Sequence, residues 1–293
     1  MRSLKSYLAL LRVSHYVKNF IIFLPAMLTF QLRNPEALLV NIKGFMIFSL
    51  TASIIYILND IKDLDSDRRH PLKCSRPIAS GKISVREAVI AMIILALSVL
   101  ILWCSVDFAL EFIAWPAIYF ILNVMYSFHL KNIPLLDVCI LSSCYVIRLL
   151  YGASISEAQI SNWMLLTMMS ASFFMGFGKR RNEFLQYGKS MRKSLNGYSE
   201  KFLDKSLQIT LTSSIIFYSL MCADNNTAVM QFGVNLLWTV PIVTVICLRY
   251  LMLVEDDKCD GDPTSVILRD KILTLLCLSY IVSVGILLYI PLP

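Results

Sequence analysis

The sequence predicts an all-α polytopic membrane protein with nine transmembrane helices, and three observations carry that reading. Of 293 residues, 57% are hydrophobic and only 16% charged, against about 45–50% and about 25% in a soluble domain. So few charges cannot cover a water-facing surface of this size, which excludes soluble, disordered and fibrous classes. Apolar runs long enough for a hydrocarbon core of about 30 Å, roughly 17–25 residues each, recur along the whole chain. Lysine and arginine gather in alternate connections between them. The eight cysteines are scattered and form no CxxC pair, so neither a disulfide framework nor a zinc site is expected. A net charge of +7 in such a chain reads as loop charge beside a membrane, with no nucleic acid implied.

The apolar runs fall at 17–32, 38–58, 84–104, 108–128, 133–153, 162–178, 206–223, 232–253 and 271–290. The first is short and contains Pro25, but no small-residue cleavage site follows it, so it reads as a helix and not as a signal peptide. Arg2, Lys5, Arg12 and Lys18 lie at its start; six basic residues from Lys62 to Lys82 follow the second run, and eight from Lys179 to Lys205 follow the sixth. Basic loops resist translocation. These segments therefore predict a multi-pass protein of the inner (cytoplasmic) membrane, with the N-terminus in the cytoplasm and the C-terminus on the other side. One domain over 1–293 is expected. Its two long polar cytoplasmic loops, 59–83 and 178–206, are where chemistry on a water-soluble substrate would sit. A third loop, acidic around 255–262, reads as solvated charge.

The richest stretch is NDIKDLDSDRRHPLKCSRPIASG, Asn59 to Gly81. Its first half continues the second apolar run, so helical geometry is assumed. Asp60 and Asp67 then return to within about 20° of each other, Asp63 lies about 60° away on the same arc, and Asp65 falls on the opposite side. Clustered carboxylates are costly unless a cation neutralises them. An all-oxygen set (Asn59, Asp60, Asp63, Asp67) suits Mg²⁺, which takes one or two carboxylates plus substrate phosphates. A solvated acidic helix end, with Lys62, Arg68 and Arg69 as partners, is the alternative. It leaves the second half unexplained, where His70, Lys73 and Arg76 follow on a loop stiffened by Pro71 and Pro77. Carboxylates beside a rigid basic loop suit a metal-bridged polyphosphate.

This segment resembles the first aspartate-rich motif, NDxxDxxxD, of the UbiA superfamily of intramembrane prenyltransferases. Its continuation DRxHPxKxxRPIAxG is similar to the decaprenyl-phosphate phosphoribosyltransferase branch of that superfamily. Three further segments carry the same resemblance. LRVSHYVKNFIIFLPA matches an N-terminal LRPxxWxKN pattern through Lys18 and Asn19, departing from it at Val13 and Tyr16. YSFHLKNIPLLDVCILSSCYVIRLLYGA matches through Tyr126, Lys131, Asp137, Arg148 and Gly152. GFGKRRNEF matches through Gly178, Lys179, Arg180 and Glu183, and the downstream RKSLNGY through Arg192, Lys193 and Tyr198. Asp137 and Arg148 also stand out from the residues alone, since ionisable groups in an apolar helix pair or line a cavity.

The resemblance implies a UbiA-type helical bundle. It implies transfer of 5-phosphoribose from phosphoribosyl pyrophosphate to a polyprenyl phosphate held in the lipid bilayer, with Mg²⁺ as cofactor. Asp60, Asp63, Asp67 and Lys179 would be catalytic. Lys18, Asn19, His70, Lys73, Arg76, Tyr126, Lys131, Asp137, Arg148, Arg180, Glu183 and Tyr198 would bind substrate. Aromatic prenyltransferases of the superfamily carry a second aspartate-rich motif where this chain has Lys179, Arg180 and Arg181. That difference disfavours an aromatic prenyltransferase. The absence of repeats, with charge clustered in loops, disfavours a transporter.

Overall fold

A computed structural model describes residues 4–69, 73–107, 109–188, 193–224, 235–255, 266–267 and 269–289. Among these residues the chain is helical, with no strand. The helices are α1 (Leu4–Leu11), α2 (Leu24–Leu28), α3 (Pro35–Lys62), α4 (Leu64–Arg69), α5 (Val85–Cys104), α6 (Glu111–Phe128), α7 (Leu136–Ile155), α8 (Asn162–Tyr187), α9 (Glu200–Ala223), α10 (Val240–Glu255) and α11 (Lys271–Tyr289). Among the described residues, seven segments are long and apolar enough to cross a membrane: α3, α5, α6, α7, α9, Leu236–Glu255 (which contains α10) and α11. The protein is an integral membrane protein.

The helix starts follow from local chemistry. Asn34 accepts the Glu36 N–H at 2.9 Å, with Pro35 in the first turn of α3. Ser84 and Glu87 form a capping box at α5. Ser161 and Ser199 cap α8 and α9 through the N–H groups of Met164 and Phe202.

Two of the nine expected spans differ in form. The first is a 3-10 helix, Val13–Phe23, that passes into the five-residue α2. Pro25 lacks an N–H and its ring would clash with a carbonyl four residues back in a continuous α-helix; it sits instead in the first turn of α2. The sixth, α8, is long but less apolar because it continues past residue 178 through Lys179, Arg180, Arg181 and Glu183 to Tyr187. The expected loop 178–206 is therefore mostly helix, since α9 already begins at Glu200. Hydropathy marks where a helix leaves the apolar layer, not where it ends, and no proline or glycine falls between Gly178 and Gly188. Of the acidic loop, 256–265 lies outside the described residues. The seven described cysteines are all free thiols.

α7 is the centre of the bundle, buried over much of its length. It packs against α6, α8 and the Val13–Phe23 segment. Gly152 lets that segment approach, since a Cβ there would stand 2.1 Å from the Ile22 carbonyl oxygen. One apolar core joins α7 to α8, α9, α10 and α11 through residues such as Val138, Phe174, Leu207 and Val254. A second joins α3, α6 and α7 around Phe48, Tyr119 and Tyr151. At the far end of the bundle, the Arg33 Nη2 donates to the Leu288 carbonyl at 2.8 Å, and the Tyr289 hydroxyl donates to the Met27 carbonyl at 3.3 Å. The opposite end carries the C-termini of α3, α6 and α8 and the N-terminus of α7, and there the ionisable side chains collect.

Candidate active site

Asp60 lies on the last turn of α3, and Asp63 caps that helix with φ −90° and ψ 12°. The chain bends there, yet the Asp63 N–H still bonds to the Asn59 carbonyl at 2.9 Å and the Asp67 N–H to the Asp63 carbonyl at 2.8 Å. Helical register thus survives the bend. It brings Asp60 and Asp67 together, as their seven-residue spacing predicts, with exposures of 2% and 3%. Arg76 joins them: its Nη1 lies 3.0 Å from Asp60 Oδ1 and 2.6 Å from Asp67 Oδ2. Arg12, from the end of the first amphipathic helix, adds its Nη2 to the same Asp60 oxygen at 2.5 Å, with its guanidinium over the Tyr56 ring.

Asp63 turns away from this pair toward Lys131, whose Nζ is 3.3 Å distant. Asn59 accepts a hydrogen bond from the Ser127 hydroxyl of α6. Lys62 donates to the Ser127 carbonyl at 2.5 Å and stands over the Phe128 ring. Asp65 is exposed, as its place on the opposite arc predicts. Lys73 is partly buried, three residues before Arg76; His70 lies outside the described residues.

Three carboxylates do not converge on one point here. Among the described residues no group of three or more His, Cys, Asp or Glu side chains could by itself hold a metal ion. The donors Asp60 and Asp67, with Asp63 and Asn59 close by, are nonetheless all oxygen, which suits a hard cation that draws the rest of its shell from water and substrate. The residues fit such a group, provided Arg12 and Arg76 give up the carboxylate oxygens they now hold.

A second polar centre joins α7 to α8. Asp137 Oδ2 lies 2.7 Å from Arg180 Nε, and both side chains are fully buried. The Asp137 carboxylate also accepts from the Tyr198 hydroxyl at 2.6 Å, the Ser194 hydroxyl at 3.0 Å and the Val138 N–H at 2.9 Å. Arg180 pairs with Glu183 one turn on and donates to the Tyr126 hydroxyl at 3.1 Å. The Tyr198 oxygen accepts the Leu135 N–H at 2.7 Å, which fixes a left-handed residue (φ 67°) at the start of α7. Burial, reinforced by donation to Asp137, pushes the Tyr198 phenol well above its ordinary pKa. Lys179 is partly buried beside Arg180, while Arg181 is buried on another side, bonded to Asp204 at 2.6 Å and the Val254 carbonyl at 3.2 Å.

Arg148 and Asn19 meet deeper in the bundle, about 18 Å along α7 from its first residue. Arg148 Nε donates to Asn19 Oδ1 at 2.7 Å, Nη1 to the Cys144 carbonyl at 2.6 Å and Nη2 to the Tyr119 hydroxyl at 3.2 Å. Asn19 in turn donates to the Ser49 hydroxyl at 2.9 Å. Lys18 is partly buried next to it. Asp137 and Arg148 share a helix but not a partner. Sequence reasoning brought neither Arg12 nor Ser127 into the site. Arg12 resembles ordinary loop charge, and its only signal is that it stands at the arginine of the LRPxxWxKN pattern that Lys18 and Asn19 also match.

The model of the UbiA prenyltransferase family matches residues 20–254. A decaprenyl-phosphate phosphoribosyltransferase of Mycobacterium tuberculosis is 33% identical over 248 residues, which cover 83% of this chain and 79% of the relative. A protein of the same name from Mycolicibacterium smegmatis is 32% identical over 257 residues, 84% of this chain and 79% of its own. Among solved structures, a UbiA homologue from Archaeoglobus fulgidus bound to GPP and Mg²⁺ superposes with a TM-score of 0.69 at 18% identity, covering 95% of this chain and 99% of that one. A metal ion thus accompanies the ligand in a protein of the same fold. The extent of the family match and the identity to these relatives lead to one conclusion: the chain belongs to the UbiA prenyltransferase family.

Proposed function

We propose that the protein transfers 5-phosphoribose from phosphoribosyl pyrophosphate to a polyprenyl phosphate, releasing pyrophosphate, and so makes a lipid-linked pentose precursor for a cell-envelope glycan. The observation that carries this is the carboxylate pair Asp60 and Asp67, held by Arg12 and Arg76 with Lys131 on the neighbouring Asp63, and a basic stretch at the end of α8 in place of a second aspartate cluster. The name shared by the mycobacterial relatives supports the same reading.

The chemistry asks little covalent work of the chain. The anionic oxygen of the lipid phosphate attacks the anomeric carbon as the bond to pyrophosphate breaks, with inversion and no general base. Catalysis is then leaving-group neutralisation and positioning. Asp60 and Asp67, with Asp63 and Asn59, would hold Mg²⁺, which when bound supplies charge neutralisation for the pyrophosphate. Arg76, Lys73 and His70 would take its remaining oxygens. Lys179, Lys131 and Lys18 would meet the acceptor phosphate or the 5-phosphate. Arg180 would hold Glu183 and Tyr126 toward the site, the Asp137–Tyr198 pair would support that arrangement, and Asn19 with Arg148 would seat the first segment.

The same reading assigns nine spans in one domain of the inner membrane. A 3-10 helix rises about 2.0 Å per residue, so Val13–Leu28 reaches about 30 Å, the thickness of the hydrocarbon core. The 26 residues of α8 are ample at about 1.5 Å each. With the basic segments inside, the N-terminus and the site face the cytoplasm, where a water-soluble donor enters, while the polyprenyl tail stays in lipid.

Membranes carrying the protein, incubated with labelled phosphoribosyl pyrophosphate, polyprenyl phosphate and Mg²⁺, should give lipid-extractable label that EDTA abolishes and Asp60→Ala lacks. No lipid-linked label, but prenyl transfer from a prenyl diphosphate to an aromatic acceptor, would reject this reaction in favour of another branch of the family.

A further inference from the structure

Among the described residues, Asp60, Asp67, Arg12 and Arg76 form a charge-balanced quartet. Asp60 is 2% exposed, and its Oδ1 receives both guanidinium groups, at 2.5 Å and 3.0 Å. A guanidinium does not deprotonate in a protein, so the quartet cannot lose a proton to make room for a cation. A divalent ion entering alone would leave two positive charges in excess at contact distance, close to the membrane, where such repulsion is poorly screened. A diphosphate arriving with the ion changes the arithmetic. It brings compensating negative charge and planar-fork acceptors that suit arginine.

Arg12 has the features of a residue placed for that exchange. It occupies the left-handed region (φ 51°, ψ 47°) between α1 and the Val13–Phe23 segment. A side-chain-bearing residue pays for that conformation and keeps it only when its surroundings enforce it. Its side chain is 20% exposed, against 2% for the carboxylate it holds, so the arginine has solvent to move through while the aspartate does not. Its ring contact with Tyr56 gives the guanidinium a resting face that survives loss of the carboxylate.

We propose that Arg12 is a further donor-binding residue, which keeps Asp60 closed to a divalent cation until a diphosphate takes over its guanidinium. Metal and diphosphate then bind as a unit, and the site does not charge with metal alone. This rests on the reading above that Asp60 and Asp67 hold the metal.

The test is equilibrium dialysis of the full-length protein in detergent, with labelled Mn²⁺ at buffered free concentration, with and without inorganic pyrophosphate. In the wild type, pyrophosphate should tighten Mn²⁺ binding by about tenfold or more, within the range of linked sites. Arg12→Gln should bind Mn²⁺ alone several-fold more tightly than wild type and lose most of the pyrophosphate effect. An Arg12 that merely braces the fold would leave Mn²⁺ affinity unchanged or weaker in Arg12→Gln, and that result would overturn the proposal. Wild-type binding that is equal with and without pyrophosphate would overturn it as well, even if the variant failed to fold. Asp60→Asn separates the two layers: unaltered Mn²⁺ binding there would remove the metal assignment itself, whereas loss of binding there with no effect of Arg12→Gln would remove only the latch.

Discussion

Asp137 and Arg180 form an ion pair that solvent does not reach, with Nε 2.7 Å from Oδ2 and neither side chain exposed. The neighbouring Lys179, on the same helix turn, is only partly buried. Two adjacent basic residues thus differ: Arg180 braces α7 against α8, while Lys179 is the one proposed to meet a substrate phosphate. Removing one partner of a buried pair strands the other charge and costs about 3–5 kcal/mol. Arg180→Met should therefore lower the thermal midpoint of the detergent-solubilised protein sharply, whereas Lys179→Ala should leave it close to wild type and reduce phosphoribosyl transfer. Thermal unfolding followed by thiol or tryptophan fluorescence, run beside the transfer assay, checks both.

The bend at Asp63 sorts the four acidic residues of the motif. Asp60 and Asp67 share Arg76, and Asp65 is exposed. Asp60→Asn and Asp67→Asn should each lower transfer by about 100-fold or more, the scale at which a group that stabilises developing charge is lost. Asp65→Asn should stay within about twofold in transfer, consistent with the small effect of surface substitutions. A large loss in Asp65→Asn would mean that the resting geometry is not the one that meets the donor.

Two glycines make opposite predictions. A Cβ at Gly152 would lie 2.1 Å from the Ile22 carbonyl oxygen, a backbone atom that cannot swing aside. Gly152→Ala should push the first segment off α7, lowering the thermal midpoint and weakening the Arg148–Asn19 contact. At Gly285, toward the C-terminal end of α11, nothing lies within 4 Å of a new Cβ. Gly285→Ala should be neutral or stabilising by up to about 1 kcal/mol. Thermal midpoints of the pair decide it.

Asp270 precedes α11 and is held below its ordinary pKa by hydrogen bonds from Arg249 and the Leu273 N–H. A carboxyl with a lowered folded pKa contributes stability above its unfolded value of 3.8 and loses it as pH falls through the folded value. The wild type should therefore be slightly more stable than Asp270→Asn at neutral pH, with the gap closing below the ordinary carboxylate range. Paired melting curves across acidic pH measure the gap directly.

The helical bundle and the acidic face were legible because both rest on local periodicity. Hydropathy located the apolar runs, and the spacing of Asp60, Asp65 and Asp67 correctly divided buried from exposed. What stayed hidden was set by distance in the fold. Asp137 and Arg148, eleven positions apart on one apolar helix, invite pairing with each other. Their partners instead come from α8 and from the Val13–Phe23 segment, which no spacing within α7 encodes. The 3-10 form of that segment was hidden for a different reason: Pro25 announces a break, but a hydropathy window reads the same residues as an ordinary span. Arg12 matches the arginine of the LRPxxWxKN pattern, but nothing in that match names a partner, so its contact with Asp60 emerged only in three dimensions.

The contacts of Arg33 and Tyr289 at the far end have a further meaning for the motif-poor last helix. They clasp the beginning of the chain to its end, making the bundle a ring fastened on the side away from the chemistry. A bundle fastened at that rim should open more readily at the other, where the proposed donor and lipid would enter, and hydrogen exchange along α3 and α8 would show it. Deleting α11 would unfasten that clasp and loosen the catalytic rim without touching any residue in it.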